Sequence, residues 1–328
     1  LDRIIVYPGA IPQDTDLLSQ SRNVLVGLGS ALQDILGSST ICAGLPCTQT
    51  AVASLAVLVG AGRIYSLQNI DGTGYGSLAA DTTHQIVKQG IQADAVTIST
   101  PAPGTAGQSI NYLIEASYQD VDSGAVVLPY YNASNPAVPY SGPGGAGTPQ
   151  NTVRRGGIIV QAKAGTPATT GTQTTPAADA GFVPLYVVTV ANGQSTVLAA
   201  NIAVHGSAPF NSGTFTATLT GCTTSPTGTV KWWRNGNVVT AILPTLTATS
   251  NSTSCSLTGL PAILWPTTAQ TFGVGALSNN GAFSSPGGIY LDTGGVINLF
   301  YAGSSTGFTA SGTKGISSPA TVSWLLGV

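Results

Sequence analysis

The sequence predicts a mainly β protein: an N-terminal helix, then a β domain, then a C-terminal jelly-roll-like β-sandwich. Three observations carry this. Charged residues are 7% of the 328-residue chain and hydrophobic ones 42%, against roughly 25% charge in ordinary soluble domains. Solubility therefore falls to Ser, Thr, Asn and Gln. Gly 42 and Pro 20 are frequent without a collagen-like period, the pattern of many turns between short strands. β-branched residues dominate the remainder and fall into short alternating runs. The length suggests two or three domains, placed at residues 1–40, 41–208 and 209–328.

Asp2 to Tyr7 reads as a short strand stopped by Pro8 and Pro12. Asp14-Thr15-Asp16 offers an N-cap with acids where the helix dipole favours them. From Leu17 to Gly37 the pattern is helical. Leu18, Leu25 and Leu32 fall seven apart, with Ser21, Leu28 and Ile35 between them. Such spacing fits either an amphipathic helix packed on its own domain or a seam between identical chains. Strands are expected at Ala51–Val59, Arg63–Gln68 and Ala95–Thr100, while Asp81 to Gly90 is open between helix and strand.

The stretch Gln108 to Ser141 begins as a strand, with Tyr112, Ile114, Ala116 and Tyr118 alternating against polar neighbours. Asp122-Ser123-Gly124 then reads as a turn, and Ala125 to Leu128 as the returning strand. Beyond Pro129, the residues Tyr130, Tyr131 and Asn132 form an aromatic, amide-bearing tip. Pro139 to Gln150 has linker composition. Its Gly142-x-Gly144-x-x-Gly147 matches a dinucleotide fingerprint in letters only, since no strand precedes it and no helix follows.

Further strands are expected at Ile158–Lys163, Tyr186–Val190 and Val197–Val204, with a domain boundary at Gly206–Gly213. The last region carries eight expected strands between Thr214 and Leu326. Asn235-Gly236, between alternating runs, signals a type I′ hairpin. Lys231-Trp232-Trp233-Arg234 sets two indoles on opposite faces of one strand. One joins the core; the other faces solvent or a neighbouring subunit.

A formal net charge of −2 with scattered basic residues gives no handle for nucleic acid or an anionic membrane. No run reaches the roughly 18 apolar residues of a membrane span, and no secretory signal pattern opens the sequence. Cys42, Cys47, Cys222 and Cys255 are too few for a disulfide scaffold, although a Cys222–Cys255 bridge stays open if their strands are adjacent. With His84 and His205 the only histidines, neither a zinc site nor a Ser-His-Asp triad has its parts. Glu115, Asp120 and Asp122 form the one local carboxylate cluster, and Asp120-x-Asp122-x-Gly124 imitates a calcium loop whose twelfth position is Tyr131 rather than Glu. No cofactor, metal site or catalytic residue is expected; the residues read as a binding or structural protein.

The phrases DRIIVYPGAIPQDTDLL, SLAADTTHQIVKQG, GQSINYLIEASYQDVDSGAVVLPYYNASNP and LYVVTVANGQ, spread over residues 2 to 204, resemble the N-terminal portion of tail-fibre or tail-tip proteins. These belong to tailed bacteriophages and prophages of Pseudomonas-type Gram-negative hosts. GTFTATLTGC, GTVKWWRNGNVVT, CSLTGLPA and ATVSWLL resemble, more loosely, the C-terminal β knob of such fibres. The resemblance implies an intertwined homotrimer, assembled in the host cytoplasm and carried in the virion. Its N-terminal part would attach to other tail or baseplate proteins, and its distal domain would meet a host surface glycan or pilus. Neither nucleic-acid binding nor membrane insertion is implied. Receptor contact falls to Trp233, Arg234 and Asn235; the oligomer seam to Leu18, Leu25, Leu28, Leu32 and Ile35; inter-subunit or tail contact to Tyr130, Tyr131 and Asn132. A purely structural tail-tip role and a polysaccharide depolymerase are the competing readings.

Overall fold

The computed structural model describes residues 2–275, 277–284, 287–301 and 306–327. Among them, antiparallel strands dominate and a single α-helix is present. The chain forms two compact units. One runs to Gln33 and resumes over Ser38–Ala203; the other joins Asp34–Gly37 to the residues from Val204 onward.

In the first unit, helix α1 spans Asp14–Leu36. Asp14 and Asp16 occupy its first turn, and Asp16 Oδ2 accepts the Gln13 backbone N–H at 2.8 Å. One small sheet has the order β1 (Ile41–Gly44), β4 (Gly62–Asp71), β5 (Asp81–Gln92); a second has β2 (Cys47–Gln49), β3 (Ala56–Val59), β6 (Val96–Ser99). The larger sheet has the order β10 (Gln150–Ala164), β7 (Gln108–Val126), β12 (Val183–Ala191), β13 (Ile202–Val204), with β11 (Ala168–Thr169) also on β7. A short hairpin pairs β8 (Pro129–Tyr130) with β9 (Tyr140–Ser141).

Expectations change here, and the strands expected at Ala51–Val59 and Val197–Val204 shrink to Ala56–Val59 and Ile202–Val204. The open stretch from Asp81 is a strand, β5. Asp2 to Tyr7 forms no strand, having no neighbouring ladder to join. The turn expected at Asp122-Ser123-Gly124 is absent, and Ala125 and Val126 continue β7 as a 19-residue strand rather than returning. The physical reason lies in β10. Gly124 keeps the positive φ that its sequence advertised, 71°, yet its carbonyl accepts the Thr152 hydroxyl at 2.8 Å. Asp122, instead of closing its own turn, accepts from Arg154 Nε and Nη2 at 2.6 and 2.8 Å.

That pair belongs to a network. Arg154 also lies 3.3 Å from Asp71 and donates to the Thr73 and Gly74 carbonyls. Arg22 of α1 stands 2.7 Å from the other Asp71 oxygen, an ion pair out of line for a hydrogen bond. Lys88, buried on β5, pairs with Asp120 at 2.7 Å, and Asp120 also accepts the Tyr118 hydroxyl at 2.6 Å. The network sits where β5 and β10 cross with little room between them. A Cβ on Gly90 would stand 2.4 Å from the Gly157 carbonyl oxygen, a gap that excludes any larger residue. Helix α1 docks closely on β5, since a Cβ on Gly29 would stand 2.9 Å from Ile86.

The second unit holds an eight-stranded sheet and a four-stranded one. The first has the order β19 (Gln270–Val274), β22 (Gly287–Leu291), β23 (Ile297–Phe300), β18 (Ser256–Thr258), β14 (Ser212–Thr220), β15 (Thr227–Asn235), β16 (Val238–Leu243), β25 (Ala320–Leu325). The second has β17 (Leu246–Thr249), β24 (Thr313–Ile316), β20 (Leu277–Asn279), β21 (Ala282–Ser284). The larger sheet curls until its edge strands almost meet. Gln270, on β19, closes the gap as a backbone surrogate: Nε2 donates to the Leu325 carbonyl at 2.6 Å, and Oε1 accepts the Leu325 N–H at 2.9 Å.

The two sheets pack through Leu219 of the larger against Gly315 of the smaller. Beside that contact lies fully buried Lys314, whose ammonium donates to the Ser252 and Ser254 carbonyls at 2.6 Å each. Cys222 and Cys255 are buried free thiols close to it. Burial pushes the Cys255 thiol up to about 12.

Two outcomes test this account. Arg154 lowers the Asp122 carboxyl chiefly through its hydrogen bonds. A carboxylate depressed in the folded state stabilises above its unfolded value, about 3.9, and loses that contribution as pH falls toward the folded value. Urea denaturation should show the first unit weakening below about pH 4. Asp122→Asn should flatten that dependence and cost up to about 1 kcal/mol at pH 7, as for a half-exposed pair; an unchanged pH slope would remove Asp122 from the account. In the second unit, Gln270→Ala should cost about 1 kcal/mol and speed hydrogen exchange at the Leu325 amide. Gln270→Glu should keep that amide protected while losing stability, because its carboxylate faces the Leu325 carbonyl.

Candidate binding face

The hairpin β15–β16 sets the geometry of the candidate face. Asn235 pairs with Val238, so the two loop residues are Gly236 and Asn237, one position beyond the expected Asn235-Gly236 centre. Only Gly236 of the two has positive φ, at 56°, which places the glycine first in the loop. From this register side chains alternate strictly along β15. Val230, Trp232 and Arg234 point inward; Lys231, Trp233 and Asn235 point outward. Trp232 is 7% exposed and Trp233 is 44% exposed.

The outward residues fall into rows across four strands. Ser212, Trp233, Thr240 and Ser323 are register partners in succession, as are Thr214, Lys231, Ile242 and Thr321. Asn235, Val238 and Leu325 make the third row. The Thr240 and Ser323 hydroxyls are 2.9 Å apart and share a hydrogen bond, and Val238 and Leu325 expose apolar surface beside the indole. An exposed aromatic plane bordered by hydroxyls, an amide and aliphatic edges can stack on an apolar ring face and hydrogen-bond its rim.

Arg234 is corrected. Strand alternation carries it to the inner side, away from Trp233 and Asn235, and burial lowers its pKa. Its Nε is buried with no hydrogen-bond partner among the described residues. Lys231 is the exposed cation on the indole's side of the strand. No Asp or Glu occurs on β14, β15, β16 or β25. The one carboxylate between residues 204 and 328, Asp292, accepts the Gly294 and Val296 N–H groups at 2.9 Å each. That span therefore holds three cations against one acid, in a chain of net charge −2.

The remaining candidates are placed as follows. Tyr130 donates its hydroxyl to Gln150 Oε1, and Tyr131 is 78% exposed. Asn132 spends its side chain on its own loop, donating to the Val138 carbonyl and accepting from Ser134 and Asn135 N–H. On α1, Leu18, Leu25 and Leu32 are half-buried, with Leu18 lying against Gly76 of the same unit. Leu28 and Ile35 are exposed, and they share their stripe with exposed Leu17 and Val24. The seam expected from one heptad phase is thus split between a face on the unit and a face in solvent.

The carboxylate cluster is committed internally. Buried Glu115 accepts from Gln161 Nε2 and the Asp179 N–H, and Asp120 and Asp122 belong to the network above. A cavity of about 150 Å³ lined by Arg22, Asp71, Lys88, Tyr118, Asp120 and Arg154 lies within that network. Its lining holds three cations, Arg22, Lys88 and Arg154, against two acids, Asp71 and Asp120, and Asp122, outside the cavity, pairs with Arg154. Among the described residues no group of three His, Cys, Asp or Glu is arranged to hold a metal.

Sequence reading overlooked Lys231, Thr240, Ser323, Val238 and Leu325. The hairpin register alone would have assigned the first two and Val238 to the face of Trp233. No protein-family model matches this chain, and no curated protein matches it.

Proposed function

We propose that this chain is a non-enzymatic tail-fibre or tail-tip protein of a tailed bacteriophage of a Pseudomonas-type host, and that it adsorbs the virion to a surface glycan or pilus. The observation that carries the reading is the open face around Trp233, an indole left in solvent among hydroxyls when its neighbour Trp232 is buried. Exposing a tryptophan forgoes hydrophobic stabilisation of roughly 2 kcal/mol, so a ligand that covers it recovers what folding leaves unused. In this reading the C-terminal unit, a jelly-roll-like sandwich, meets the receptor. The N-terminal part joins other tail or baseplate proteins, and the chain works as a homotrimer. The exposed stripe Leu17, Val24, Leu28 and Ile35, and the exposed Tyr131, support contacts with further chains.

Binding of the full chain to a panel of Pseudomonas cells is the direct test. Trp233→Ala should weaken it tenfold or more, as expected for an aromatic anchor, with the thermal transition nearly unmoved. Absence of cell binding by the unmutated chain would favour the purely structural role, and release of reducing sugars would favour a depolymerase. Sedimentation at micromolar concentration should give three times the chain mass, with Leu28→Glu shifting it toward one; a stable monomer of the unmutated chain would remove the trimer from the proposal.

A further inference from the structure

We infer that the ligand of the Trp233 face is a carboxylate-bearing saccharide, its sugar ring on the indole and its acid group on Lys231. The inference rests on the glycan reading above and narrows it to a chemical class. Trp233 and Lys231 are two residues apart on one side of β15, which separates their Cα atoms by roughly 7 Å. The four-carbon stem of Lys231 then lets its ammonium reach the substituents of a ring lying on the indole. Its neighbours offer no competing acid. Lys231 is flanked in the rows by Thr214 and Ile242, and no carboxylate lies in ion-pair range of it among the described residues.

The strands around the face are free of acids. They carry Lys231 and Arg234 and no Asp or Glu; Asp292 is held by the N–H groups of its own turn, and Asp34 stands on the last turn of α1, which abuts Gly236. Arg234 lies on the other side of the sheet and adds a second positive charge to the same strand. The hydroxyls of Thr240 and Ser323 and the amide of Asn235 can pair with sugar hydroxyls. A neutral sugar would use the indole and these groups equally well and leave Lys231 idle; a basic ligand would be repelled.

The experiment uses the full chain and the surface polysaccharide extracted from cells that it binds. Half of the preparation has its carboxyl groups reduced to alcohols. The native form should bind at least tenfold more tightly than the reduced form, with an affinity that falls as salt rises. Lys231→Gln should abolish both the preference and the salt dependence, and Lys231→Arg should keep them. Equal affinity for native and reduced forms, with Trp233→Ala still weakening both, would overturn the inference and leave the glycan reading standing. Binding to neither form would overturn the two together.

Discussion

The first unit depends on one part-buried charge constellation, Arg154 with Asp122, Asp71 and Arg22, beside Lys88 with Asp120. Six of the few charged side chains in this sequence meet there, and they come from α1, β4, β5, β7 and β10. Taking such groups from water costs several kcal/mol each unless every one finds partners. Here partners are supplied in excess: Arg154 alone has two carboxylates, two carbonyls, the Thr73 hydroxyl and the Tyr75 ring 5.4 Å away. The net gain in stability from such a cluster is small, but its geometric demand is severe. A shift of the helix or of the crossing of β5 over β10 would pull several of these pairs apart at once. The Gly90–Gly157 contact reinforces that demand, because the crossing is too close for side chains.

The second unit reaches definition with almost no ion pairs. Its buried ammonium, Lys314, is held by carbonyls and lies 5.7 Å from the Phe308 ring. Its sheet is drawn shut by the amide of Gln270 in the role of a strand. Backbone groups at a sheet edge are costly when buried and adhesive when exposed. A side chain that supplies both a donor and an acceptor answers the problem at one point without adding a residue to the ladder.

The β class, the helix and most strands of the second unit were legible because alternation and turn residues are local properties. Long-range choices were not. Asp122-Ser123-Gly124 reads as a turn in any sequence, and what overrides it is Arg154, 32 residues away. The strands Leu246–Thr249, Ala282–Ser284 and Thr313–Ile316 went unread because their runs, three or four residues long, are too short to show an alternation. On α1, heptad counting found apolar spacing but joined Leu18, Leu25 and Leu32, half-buried with Leu18 against Gly76, to Leu28 and Ile35, which are exposed. The stripe from Leu17 to Ile35 on the solvent side has nearly the same spacing, and only packing tells them apart. At the candidate face the sequence supplied Trp233 but assigned it Arg234, because adjacency in sequence was taken for adjacency on a surface.

That last error shows how the face is specified. In a strand the period is two, so a shift of one residue exchanges the whole set of side chains between core and solvent. Gly236, at positive φ, fixes where β15 ends and thereby which tryptophan is buried. Once Trp232 is committed to the core, Lys231, Trp233 and Asn235 must face outward together, with no choice left about Lys231. A cation beside an exposed indole is thus a consequence of register, while the absence of any acid across β14, β16 and β25 is a separate property of three other segments. Register alone would deliver the same lysine into a neutralising surface as readily as into this one. It is the second property, independent of the first, that makes an anionic ligand the better fit for the face.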